Sequence, residues 1–151
     1  MSKTLFAFSA AALAVVSVAA HAQFAKPEDA IRYRQSAYVI MGQQMSNIAA
    51  QLKSDKPDLT RIQRSAGIVE FAFTLPGEGY VPGSEKGGNP PTKAKAEIFT
   101  SPKVREIAGE ARQEIAKLNE AAKKGDLAAI RTQFQATAKS CDNCHDNFRN
   151  K

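Results

Sequence analysis

Apolar residues recur along this chain at alternating spacings of three and four, the signature of helices that bury one stripe. Ile31, Tyr38, Met41, Met45, Ile48 and Leu52 follow that pattern after a first heptad step, and Pro27 suits the first turn of the helix they mark. Beyond the polar break KSDKP, Asp58 stands as an N-cap ahead of Leu59, Ile62, Ala66, Val69 and Phe73, a second helix that ends before Pro76. Ser101 and Pro102 read as an N-cap and first-turn pair for a third helix on Val104, Ile107, Ala111, Ile115, Leu118 and Ala122. Gly125 stops it as a left-handed C-cap. Asp126 opens the last helix, whose stripe runs Leu127, Ile130, Phe134, Thr137, Cys141, Cys144 and Phe148. Four amphipathic helices and no strand pattern predict an all-α fold, an antiparallel four-helix bundle.

Two segments break the pattern. LPGEGYVPGSEKGGNPP, after the second helix, is too long for an ordinary helix connection and implies either disorder or a loop that covers something, with AKAEIF adding a single turn. The opening MSKTLFAFSAAALAVVSVAAHAQ places Lys3 before a short apolar run and the triplet Ala20-His21-Ala22, the arrangement of a secretory signal peptide cleaved before Gln23. Residues 1–22 are then export machinery, residues 23–151 one domain with a single core, and no membrane insertion is expected after cleavage. The first helix also carries a second stripe, Tyr33, Ala37, Ile40 and Gln44, expected to be free for a homodimer interface.

Charge adds little. Without Lys3 the domain has 20 basic against 15 acidic side chains, a formal +5. The charges are dispersed and not interleaved with aromatics, which argues against a nucleic-acid surface.

The chemistry sits in CDNCH, residues 141–145, which contains both cysteines of the chain. On a helix, positions i, i+3 and i+4 share a face, so Cys141, Cys144 and His145 are expected to enter the interior together. A structural zinc site needs four ligands, and after loss of His21 the domain offers two cysteines and one histidine. A thioredoxin-like pair belongs at a helix start after a strand, whereas this one lies at a helix end. A plain disulfide in a structural bundle leaves His145 without a role. C-x-x-C-H is also the attachment signal of c-type haem, both sulfurs adding to the vinyl groups and the histidine binding iron, which uses all three residues.

A CxxCH on the last helix of an exported four-helix chain resembles the class II c-type cytochromes, and in particular the cytochromes c′. QFAKPEDAIRYRQSA is similar to that family's first helix, and GDLAAIRTQFQATAKSCDNCHDNFR to its haem helix. The resemblance implies haem c bound on the last helix of a periplasmic protein of Gram-negative bacteria, often a homodimer. It also implies pentacoordinate high-spin iron that binds nitric oxide and carbon monoxide, a binding module more than a turnover enzyme, with room for a redox partner protein. Carried over by residue, Cys141 and Cys144 take the thioether positions, His145 that of the proximal iron ligand and Arg149 that of a basic residue on the proximal face. Arg34 and Gln35 match the pair near the haem propionates. Because Arg34 falls on the buried stripe, a negative partner is expected for it, and a propionate would serve.

The resemblance further implies that the sixth-coordination position is Tyr38, where low-spin members place methionine and cytochromes c′ a space-filling residue. Tyr80 stands where aromatic pocket residues are common, Gly77 where a bulky ring is usual, and Asn89 is expected near the haem edge. The alternative is a low-spin electron carrier with Met41 or Met45 as ligand, although methionine at helical spacing is more often core filler.

Overall fold

The computed structural model describes residues 23–151. The signal-peptide reading of residues 1–22 lies outside the described residues. Four helices carry the fold: α1 (Pro27–Lys53), α2 (Leu59–Ala72), α3 (Lys103–Lys124) and α4 (Leu127–Phe148).

Local chemistry sets their ends. Pro27 opens α1, with Glu28 and Asp29 in a first turn whose helix dipole favours negative charge. Asp58 caps α2 by accepting the Arg61 amide at 3.1 Å, while its own amide donates to Gln51 Oε1 at 2.9 Å and ties the α1–α2 corner. Asp126 caps α4 through the amides of Ala128 and Ala129. Gly125 ends α3 at φ 71°, a left-handed conformation that costs glycine nothing. The expected Ser101 cap is corrected: α3 begins one residue later, with Pro102 at the N-cap position and no side chain capping it.

Each helix after α1 packs antiparallel on its predecessor, while α4 and α1 meet much less closely than these neighbours do. One surface groove, of about 200 Å³ and walled by Leu52 and Phe134, marks that open side. The main apolar cluster unites Ile48 and Leu52 of α1, Ile62 and Ala66 of α2, Leu118 and Ala122 of α3, and Ile130 of α4. All of these lie where α1 and α3 finish and α2 and α4 begin. One end of the bundle is therefore closed by packing, and the other end holds the polar and reactive groups.

The Pro/Gly-rich segment is ordered as a cover over that second end. It contains 3₁₀ turns at Pro76–Gly79 and Ala96–Phe99, the latter being the turn expected of AKAEIF. Gly79 rests so close to α1 that a Cβ there would meet the Ala30 carbonyl oxygen at 2.7 Å. Further on, the chain pairs with the end of α4: Lys95 N–H donates to the Phe148 carbonyl at 2.9 Å and Asn150 N–H to the Lys93 carbonyl at 2.8 Å. Between them, Ala94 and Arg149 form an isolated antiparallel bridge.

The second α1 stripe is not free, which corrects the interface expected there. Tyr33 donates to Glu78 at 2.8 Å, Ala37 is buried, and Gln44 accepts from Ser65 of α2 at 2.9 Å. Only Ile40 remains open. The stripe looks toward α2 and the cover segment because these lie on both flanks of α1.

Ile62 is fully buried in the apolar cluster, so Ile62→Ala should lower stability by about 2–5 kcal/mol through lost transfer energy and a residual cavity. Urea unfolding followed by circular dichroism reads this directly.

Candidate functional site

Arg34 is 1% exposed, a depth at which an unpaired cation would cost several kcal/mol. Among the described residues no carboxylate pairs with it, and neutral groups hold it. Nη1 donates to the Gly79 carbonyl at 2.6 Å and to Ser84 Oγ at 2.8 Å. Nη2 donates to the Ser84 carbonyl at 2.6 Å and to Thr92 Oγ1 at 3.1 Å. Neutral oxygens of the cover segment thus replace a carboxylate, because that segment lies against α1 with its acceptors turned inward. Burial lowers the guanidinium's pKa; nearby tyrosines and, more weakly, Glu85 oppose this.

The same guanidinium lies over the Tyr80 ring at 4.7 Å and the Phe99 ring at 5.8 Å. Tyr80 packs edge-on against Phe99 at 5.4 Å, and its hydroxyl is 3.0 Å from that of Tyr38. Burial, then Tyr80, holds the Tyr38 phenol far above its ordinary pKa, and burial also raises Tyr80. Both therefore stay neutral at physiological pH. Tyr38 nonetheless keeps 40% of its surface open. Cys144 of α4 adds a weaker upward effect on the Tyr38 phenol.

On α4, Cys141 and Cys144 are free thiols and half-buried. Burial raises both, with Asp142 adding to the effect on Cys141, so both are protonated. His145 departs from expectation. It is exposed and forms part of the wall of a surface cleft of about 530 Å³ instead of entering the interior with the cysteines. It lies at the edge of the shared arc, in the last turn of α4, where its neighbour is the extended segment 93–95 and not a packed helix. Partial burial and then the Arg149 charge lower its pKa, leaving a neutral imidazole with a free lone pair at pH 7.

The other candidates divide. Gln35 donates to the Pro90 and Pro91 carbonyls at 3.1 and 3.4 Å, helping Arg34 hold the cover segment. Asn89 is exposed beside that contact, with no side-chain bond to the thiols or the tyrosines. Arg149 is exposed in the His145 cleft. Met45 packs against the apolar cluster, away from the thiols, and Met41 is buried. Gly77 has nothing within 4 Å of where a Cβ would stand, so a larger side chain would find room. Sequence reasoning missed Ser84, Thr92 and Phe99, whose only signal was the turn-forming context around each.

Two thiols one helical turn apart with an adjacent imidazole form a donor set for a porphyrin tethered by thioethers. Among the described residues no three His, Cys, Asp or Glu side chains converge to enclose a bare metal ion. Both thiols are only half-buried and Tyr38 is 40% exposed, so these side chains are not packed away from a group that would bind there. The residues present fit haem c.

A family model described as Cytochrome C' matches residues 29–149. The chain is 35% identical over 131 residues to a cytochrome c′ of Alcaligenes xylosoxydans xylosoxydans, covering 85% of this chain and 99% of that relative. It is 37% identical to one from Halomonas halodenitrificans, covering 83% and 98%. Among solved structures, cytochrome c′ of Rubrivivax gelatinosus superposes with a TM-score of 0.78 at 32% identity, covering 85% of this chain and 100% of that one. A ferrous variant from Alcaligenes xylosoxidans with bound NO superposes at 0.77 and 32%, covering 85% and 99%.

Replacing Arg34 by leucine removes four hydrogen bonds to the cover segment and leaves the Ser84 carbonyl without a partner, while the Gly79 carbonyl, Ser84 Oγ and Thr92 Oγ1 keep other bonds. Arg34→Leu should cost about 2–4 kcal/mol and accelerate amide hydrogen exchange across residues 79–92 while leaving the 118–130 cluster protected. Unchanged exchange in 79–92 would show that the segment is held by other contacts.

Proposed function

The chain belongs to the cytochrome c′ family, and on that premise we propose that residues 23–151 are exported to the periplasm and carry one haem c that binds diatomic gases. The observation that carries this reading is the last two turns of α4, where half-buried Cys141 and Cys144 stand one turn apart beside the neutral imidazole of His145, two thiols that would form the thioethers and a nitrogen that would bind the iron. Haem c, when bound, supplies an iron that takes nitric oxide or carbon monoxide and exchanges one electron.

The chain's own residues do the rest. Cys141 and Cys144 tether the group, and the tether keeps His145 at high effective concentration beside the iron. Tyr38, a neutral phenol and a poor ligand, would occupy the sixth-coordination side without binding, so that the iron would be pentacoordinate and high-spin. Arg34 and Gln35 hold the segment that flanks the propionate end, Asn89 within it, and Arg149 lies beside His145. A gas molecule approaching on the Tyr38 side must turn that ring aside and break its bond to Tyr80. Ligands that bond strongly to ferrous iron recover this cost, so the pair selects for them. The chain acts as a binding module and not as a turnover enzyme.

A homodimer fits the exposed apolar groups. From the Gln44–Ser65 bond, about a turn and a half back along α1 and forward along α2 brings Val39 and Ile40 level with Phe71. These three are 71%, 44% and 67% exposed, more than a lone subunit needs to leave open.

Haem staining after denaturing electrophoresis should follow the wild-type band and vanish with Cys141→Ala/Cys144→Ala. Its absence from protein expressed with haem-attachment machinery sinks the reading. The ferric spectrum should be high-spin and become low-spin in Tyr38→Met; a low-spin wild type would favour the electron-carrier alternative. Tyr80→Phe removes one hydrogen bond of about 0.5–1.5 kcal/mol and should speed carbon monoxide association by about two- to tenfold. Flash photolysis measures that rate.

A further inference from the structure

The cleft beside His145 has a charge pattern that haem binding does not require. Its wall includes Lys93, Lys95, Arg149 and Lys151, with Asp146 as the single carboxylate side chain. These few residues hold a surplus of three positive side chains, out of a surplus of five for residues 23–151. Asp142, one turn back on α4, also acts on His145 but lies outside the wall.

Among the described residues none of these cations forms an ion pair. The ion pairs among the described residues are Arg32–Asp29, Lys117–Glu114 and Lys123–Glu120, all on α1 or α3. Lys95 gives its Nζ to the carbonyls of Asp146 and Asn147 at 3.0 and 3.1 Å, answering the negative end of the α4 dipole. Lys93, Arg149 and Lys151 stay exposed. The backbone pairing of 93–95 with 148–150 holds both sides of the cleft in fixed relation, so the charges form a preset surface.

A built site for one small anion would turn buried donors inward. Here the charges stand on an open rim, which suits a second surface bearing several carboxylates. We propose that this cleft is the docking surface for an acidic redox protein. The haem reading supplies only the choice of a redox partner; the surface rests on the charges. A concentrated positive field of this kind raises the encounter rate with an acidic partner and orients it toward His145.

The test uses the full haem-loaded protein and an acidic flavodoxin as probe. Carbodiimide cross-linking joins lysines to carboxylates without a spacer, and mass spectrometry then locates the products. Cross-links should concentrate at Lys93, Lys95 and Lys151. In calorimetric titrations at low salt, Lys93→Glu/Arg149→Glu should weaken binding by about tenfold or more. Lys123→Glu/Lys124→Glu, at the far end of α3, should change it little. Cross-links spread evenly over all lysines, equal losses in both double variants, or equal affinity for vesicles of anionic phospholipid would each overturn the proposal. Colourless protein would defeat the haem reading while leaving the cross-link map to stand or fall alone.

Discussion

The buried guanidinium of Arg34 is the constraint on which the functional end of the bundle depends. A cation this deep is tolerable only if every acceptor it needs arrives in place, and those acceptors belong to a segment 45–58 residues further along the chain. Folding the cover segment and burying Arg34 are therefore one event. Gly79 admits the close approach, and Ser84 contributes both its hydroxyl and its carbonyl. The arrangement extends through Tyr80, stacked beneath Arg34, to the Tyr38 hydroxyl and so to the side facing α4.

The bundle separates stability from chemistry by length. Leucine, isoleucine and alanine close the end where α1 turns into α2 and α3 into α4, and short capped corners hold it. Toward the opposite end the α4 stripe changes from Ile130 and Phe134 to Thr137, Cys141 and Cys144. One helix is thus core element at its start and carries the paired thiols at its end. Neutral thiols, a neutral imidazole and neutral phenols gather there because burial disfavours each charged form.

Much of this was legible from local pattern. Helix ends at Asp58, Gly125 and Asp126 followed from short-range hydrogen bonding, which a few adjacent residues decide. The placing of both thiols one turn apart on α4 followed from helical spacing. Illegible were the partners of Arg34, since Ser84 and Thr92 are ordinary turn residues until the segment folds back. The depth of His145 was misjudged as well: periodicity gives the direction of a side chain but not how far neighbouring elements extend alongside it.

The sequence by itself determined the four helices, the ends at Asp58, Gly125 and Asp126, and the spacing of the CxxCH residues, because each depends on groups within a few residues of one another. Tertiary structure alone decided that neutral oxygens hold Arg34, that Tyr38 meets Tyr80, and that the cations of residues 93–95 and 149–151 share one cleft with His145. These arise where segments distant in the chain come together, and no local periodicity encodes which groups will then face one another.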